Sequence, residues 1–363
     1  MKFKYFSIIL LVILSSSCKD QDDSKYQIEE PTKEHGIEQK IEPYQYGPGD
    51  VVFRGYLDKT GNMWFATSNE GVFKYDGRTF TNISKDNGLC SNEVNAITQD
   101  QNGAMWFGTD KGLCTYDGDN FVHISLPRED TISVSPETGR PSRQSERVLS
   151  IIQAKNGDIW IGTDAEGAYR YDGDNFQSYL KFEGKLQPHD NKYNNCITNI
   201  IEDKNGHIWI GSFTHGGLNK FDGKKMIHHP LKDGYGDGMI STSYKDKMGN
   251  LWFGTRNSGI YKYDYQRFQN IKDEKSNEQI AMASVIEDKN GAIWIGSFAR
   301  KGVYRYNNDS FVPLEINGSE KLNDIKFVSE DKDGNIWFGG RYGLLCRYDG
   351  RNLKDFTEIK RMN

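Results

Sequence analysis

NGHIWIGSFTHGGLNKFDG, residues 205–223, recurs in worn but legible form as NGAMWFGTDKGLCTYDG at 102–118, NGDIWIGTDAEGAYRYDG at 156–173 and NGAIWIGSFARKGVYRYNN at 290–308. The copies agree as far as Gly-Thr or Gly-Ser and diverge in the few residues that follow. A tryptophan sits at the centre of each. All seven tryptophans of the chain, Trp64, Trp106, Trp160, Trp209, Trp252, Trp294 and Trp337, fall in this motif, 42 to 54 residues apart. A repeat of roughly 45 residues with embedded strand signals is the mark of a propeller, in which no unit can bury its own faces alone.

Each unit reads as four strands. The first is rich in β-branched residues (Val94–Gln99, Ile197–Glu202), the second carries the tryptophan (Ala104–Thr109), the third ends in Tyr-Asp-Gly (Leu113–Gly118) and the fourth opens with an aromatic (Phe121–Ile124). Turns of the form Asp203-Lys204-Asn205-Gly206 join strands one and two; Asp accepts backbone N–H bonds and Gly takes the left-handed position. Strand two is apolar on both faces, as in Ile208-Trp209-Ile210, where a sheet with one wet face would alternate. Each sheet is therefore covered on both sides. A linear solenoid would need distinct capping units, and no repeat departs in that way. The expected fold is all-β: a seven-bladed β-propeller of four-stranded antiparallel blades.

Unit seven is complete in itself, so the ring is expected to close by packing unit one against unit seven. Four residues before the turn, the inner strands carry the small residues Ala96, Ser150, Asn199, Thr242 and Ser284, suited to crowding near an axis. Arg54 and Phe327 are the exceptions, one in each unit at the seam, and the guanidinium is expected to stack on the ring.

Aromatic content of 13% and 38 glycines suit short strands and tight turns, and a net charge of −5 argues against nucleic acid as a partner. Two lysines within Met1–Lys4, the apolar run Phe6–Leu14 and the small residues before Cys18 compose an export signal over 1–17. This order resembles a bacterial lipoprotein signal, which implies a lipid on Cys18 and anchoring to the outer membrane of a Gram-negative cell, on its surface or facing the periplasm. Residues 18–48 read as a flexible acidic tether and 49–363 as the propeller. Cys90, Cys114, Cys196 and Cys346 lack metal-site spacing, and one bridge among them is compatible with export without the spacing naming the pair.

The pattern Asp-x-x-Gly-x-(Ile/Met/Leu)-Trp-(Phe/Ile)-Gly-(Thr/Ser), followed by Gly-(Val/Leu/Ile)-x-x-Tyr, resembles the two-component regulator propeller repeat. The resemblance implies a ligand-binding sensor propeller of the kind found in periplasmic regions of hybrid histidine kinases, several of which respond to oligosaccharides. No membrane span, immunoglobulin-like module or kinase follows the repeats here, so a recognition surface is implied and direct signalling is not. The repeats are also similar to those of streptogramin lyases.

In a four-stranded meander, turns one-two and three-four share a rim, and connections two-three and four-one share the other. The uniform Asp/Gly turns make the first rim scaffold, whereas the diverging tips of the second are free to bind. Its two-three loops offer Glu70, Asp110 and Asp164 on one side of the ring and Phe213, His215, Arg256, Phe298, Arg300, Arg341 and Tyr342 on the other. Rings beside guanidinium groups suit sugars or acidic sugars. The long connection Ser125–Arg147 is a lid or partner-binding candidate. No catalytic set, metal or cofactor is assigned: His228 and His229 point to opposite faces of a strand, and Asp233 and Asp237 lie in a Gly-rich turn. The expected function is non-catalytic capture of an extracytoplasmic ligand such as an oligosaccharide. The alternatives are a scaffold for an envelope protein and a lyase of streptogramin or polysaccharide type with His215 as base.

Overall fold

The computed structural model describes residues 43–44, 47–127, 146–180, 196–212, 217–229, 239–256, 258–271, 280–298, 302–307 and 310–357. The export signal with Cys18 and nearly all of the tether lie outside these residues.

Seven antiparallel sheets follow one another along the chain, each in simple meander order. Their inner strands are Val52–Leu57, Val94–Gln99, Val148–Gln153, Ile197–Glu202, Ile240–Lys245, Met282–Glu287 and Ile325–Glu330. The second strands, such as Met105–Thr109 and Ile208–Ser212, are buried along their whole length, as their two-faced apolar pattern requires. Blade one has a fifth strand, because Pro43–Tyr44 pairs with its outer strand Phe80–Ile83. Among the described residues, blade one thus includes a strand that precedes position 49, at which the sequence pattern starts. Cys90 and Cys114 form a disulfide, the pair that spacing alone left open.

Each tryptophan packs on the following blade. Trp64 lies 5.9 Å from Phe107, Trp160 5.4 Å from Phe221, Trp209 5.8 Å from Phe253, Trp252 5.8 Å from Tyr306 and Trp294 6.0 Å from Phe338. Trp337 returns to blade one, 5.0 Å from Phe65. Burying one indole hides about 150–250 Å², an upper bound of roughly 4–6 kcal/mol each.

The glycine two residues after six of the seven tryptophans makes this approach possible, blade one having Ala66 there. A methyl group at Gly211 would stand 2.8 Å from Ile240 of the next blade, one at Gly108 2.6 Å from Val148, and one at Gly254 2.5 Å from Met282. Opposite that position, every inner strand carries a bulge. The small polar residues there stitch neighbouring blades: Thr198 Oγ1 donates to the Ile240 carbonyl at 2.8 Å, Ser241 Oγ donates to that of Met282, and Ser284 Oγ accepts from Val328 N–H at 3.0 Å.

At the seam the stitching is aromatic. Phe327 fills the space left by two glycines, since a β-carbon at Gly55 or Gly339 would fall 2.4 Å or 1.9 Å from its ring. Phe327 joins Phe65, Phe73, Tyr75, Phe80, Trp337 and Phe356 in one core spanning both blades. The expected stacking of Arg54 on Phe327 does not form. That ring is already enclosed by Gly55, Gly339 and Phe65, and the Arg54 guanidinium donates to the Phe53 carbonyl at 3.3 Å.

Candidate functional site

The uniform half of the motif is absorbed by scaffold. The turn aspartate accepts from backbone N–H groups and also from the indole of the tryptophan six residues on: Asp58 from Trp64 at 2.8 Å, Asp203 from Trp209 at 3.0 Å, Asp246 from Trp252 at 2.9 Å, Asp331 from Trp337 at 2.9 Å. Burial opposes ionisation of Asp58, but bonds from Trp64, Asn62 and Thr60 outweigh it and bring the carboxyl down to about 2. Asp203 is lowered likewise, its burial outweighed by Trp209 and the N–H groups of His207 and Asn205. Blade three has Ala154 at this position, and Asp158 there pairs with Arg170 instead at 2.6 Å.

In blades one, two, three and five the threonine that ends the motif ties the base of the two-three loop. Thr67 Oγ1 donates to the Gly71 carbonyl at 2.8 Å and accepts from Glu70 N–H at 2.9 Å; Thr163 does the same with Gly167 and Glu166, both at 2.9 Å. Beyond that knot the backbone is held and the tip can vary.

The acidic tips form hydrogen bonds within the chain. Glu70 accepts from Gly49 N–H at 2.8 Å and Asp50 N–H at 3.1 Å, holding the strap that enters blade one. Asp110 accepts from Ser91 Oγ, and Asp164 accepts from the Cys196 thiol at 3.5 Å. Arg256 is an exposed side chain on a tip whose N–H donates to Met239 at 3.2 Å. Phe213, His215, Arg300 and most of the Ser125–Arg147 connection lie outside the described residues, as do Asp233 and Asp237.

Three predicted tip residues come together. Phe298 from blade six and Arg341 and Tyr342 from blade seven line a cleft of about 1180 Å³. The far wall is the four-one connection, with Pro313, Leu314, Glu315 and Asp324. Asp324 Oδ1 holds Lys326 at 2.7 Å while its Oδ2 holds Arg341 Nε at 2.7 Å. The Lys326 ammonium also lies 4.6 Å from the Phe298 ring centre. One carboxylate thus orients two cations, one against an aromatic face. Asp324 and Tyr342 both adopt left-handed backbone, φ 48° and 57°, at a cost of about 1–3 kcal/mol each for non-glycine residues. Tyr342 nevertheless stands 85% exposed.

Asp324 and Lys326 escape a reading confined to two-three loops. The signal was present: at the first bulge position, sister strands carry Asn95, Thr198, Ser241 and Ala283, and only blade seven places a lysine there.

No histidine or cysteine is among the described residues lining the cleft. His228 and His229 do diverge: His228 Nδ1 lies 3.1 Å from Asn219 Oδ1, while the His229 ring packs 5.0 Å from that of Trp209. Burial, then Lys220 and His228, keep His229 below the ordinary imidazole range. Burial, reinforced by Asp164, pushes the Cys196 thiol up to about 12, and burial does the same to Cys346, so neither offers a thiolate near neutrality.

Residues 88–111, 142–165 and 194–214 match the family described as two component regulator propeller. Among solved structures the chain is similar to the extracellular domain of a putative hybrid two-component system of B. thetaiotaomicron, with 22% identity and a TM-score of 0.61 over 82% of this chain. It is similar to a streptogramin B lyase, with 15% identity and a TM-score of 0.62 over 87% of this chain and 97% of that one. It is also similar to PorZ, a surface component of the type-IX secretion system of Porphyromonas gingivalis, with 17% identity and a TM-score of 0.61 over 84% of this chain. The chain spans only 40% of the length of the first and 47% of the last. No curated protein matches the chain. At these identities the likenesses speak to fold, and among the described residues no helix is long and apolar enough to cross a membrane. The chain is a seven-bladed propeller carrying two-component regulator propeller repeats.

Proposed function

We propose that this protein is an exported, lipid-anchored recognition module that captures a glycan or a similar extracytoplasmic ligand in the cleft between blades six and seven. One observation carries the reading: Tyr342 is 85% exposed at φ 57°, on the lip of a cleft that also presents Phe298 and Arg341. An aromatic side chain held in a costly conformation and left in water gains nothing for the fold. It is positioned to stack on a ligand ring. The cleft, at about 1180 Å³, exceeds the roughly 300–1,000 Å³ of small-molecule sites. That size suits a short oligosaccharide better than a single small metabolite. The ion-paired cations add orientation for hydroxyl or carboxylate groups.

A glycan array followed by thermal shift tests this. A bound glycan raises the melting temperature, and the gain is lost in Tyr342→Ala and Arg341→Ala. Binding that survives both substitutions would sink the assignment of the site. Anchoring is tested separately: Cys18→Ser moves the protein from the membrane fraction to the soluble fraction. The likeness to a lyase favours a test for turnover on the same ligand, and product formation would replace capture with catalysis.

A further inference from the structure

One charge near the axis has no part in the cleft. The residue that follows the bulge in each inner strand is Arg54, Ala96, Ser150, Asn199, Thr242, Ser284 and Phe327 in turn around the ring. Six are neutral. Inner strands surround the axis of a propeller, and here they start from the variable rim, so the bulges lie at that end of the axial opening. Arg54 therefore sets a single guanidinium beside the mouth of the opening.

No acid answers it. Among the described residues its one bond is to the Phe53 carbonyl at 3.3 Å, and it enters no ion pair. Burial holds its guanidinium below the ordinary range with no charged neighbour contributing, yet part of the side chain stays accessible to solvent. Its bond to the Phe53 carbonyl keeps the guanidinium at the inner strand, beside the axial opening that inner strands surround. An uncompensated buried cation is costly, and the sister blades show that small neutral residues build the same bulge.

The neighbours do not relieve it. In the adjoining blade two, Glu93 is taken by Arg147 at 2.7 Å and accepts from the Asn95 amide at 3.4 Å. Lys326, one position earlier in the adjoining inner strand, is neutralised by Asp324.

We infer that Arg54 is the anchor of an axial anion site that takes a small oxyanion, with a carboxylate as the best match. A guanidinium offers parallel N–H groups that fit both carboxylate oxygens, and such charge-assisted pairs are strongest where water is scarce. Arg54 is not among the residues lining the cleft, whose cations Lys326 and Arg341 carry their own carboxylate in Asp324.

The test uses the full chain at constant ionic strength, with acetate or sulfate replacing chloride. Acetate raises the melting temperature by about 2–4 °C near saturation, sulfate by less. The rise shrinks in Arg54→Lys, vanishes in Arg54→Gln and persists in Arg341→Ala. Equal rises in wild type and Arg54→Gln overturn the site, and so does the absence of any rise with either anion. A measurement that needs no variant is the fluorine resonance of trifluoroacetate, which wild-type protein broadens and added acetate sharpens. A line that stays narrow overturns the proposal.

Discussion

The indole of Trp337 in blade seven lies 5.0 Å from the ring of Phe65 in blade one, which closes the circle. Trp337 is fully buried and also stacks on Phe356 of its own blade at 5.2 Å.

Trp337→Ala removes the closing contact and leaves a cavity in a shared aromatic core. A loss of about 3–5 kcal/mol is expected in urea unfolding. In a double-mutant cycle with Phe65→Ala, the coupling should reach about 0.5–1.5 kcal/mol. No coupling would mean that the ring does not shut through this pair.

Gly211→Ala should destabilise by about 1–3 kcal/mol, because the new methyl meets Ile240 of blade five at 2.8 Å. Blade one already carries Ala66 at this point, opposite Arg54, so Ala66→Gly should be mild by comparison. Thermal melts of the two variants decide between them.

Asp58 ties stability to acid. Its carboxyl is depressed to about 2 in the fold, against about 3.9 in an unfolded chain. Its contribution is therefore complete above about pH 4 and fades as the pH falls through about 2. Asp58→Asn should lose stability at neutral pH and show a flatter decline between pH 4 and 2. Parallel slopes in the two proteins would contradict the bond network around the Trp64 indole.

Tyr342 separates fold from function. Tyr342→Gly relieves a left-handed tyrosine and should stabilise the protein by about 0.5–1 kcal/mol. It should also abolish ligand capture at the cleft. A variant that is less stable, or that binds as well as wild type, would remove the case for strain held in the service of binding.

The motif was legible almost residue by residue, because its positions answer local demands that recur around the ring, with few departures such as Ala154 and Ala66. Asp turns the chain, Gly adopts the left-handed backbone, and the apolar strand is covered on both faces. Three roles lay outside a linear reading. The aspartate also caps the indole, the glycine after the tryptophan yields to the next blade, and the closing threonine knots the loop. The variable tips were legible as a set but not as a site. Glu70 and Asp110 proved to bind the chain itself, whereas Phe298, Arg341 and Tyr342 met across a blade boundary.

Local periodicity by itself determined the strands, their turns and the number of blades, since these depend on neighbours close in the chain. Tertiary structure alone decided which loop tips share a cleft, that Asp324 holds Lys326 and Arg341, and that Arg54 meets no acid among the described residues. Those depend on how closely consecutive sheets approach and on how the ring closes. Both are set by packing between residues far apart in sequence, which no repeat pattern records.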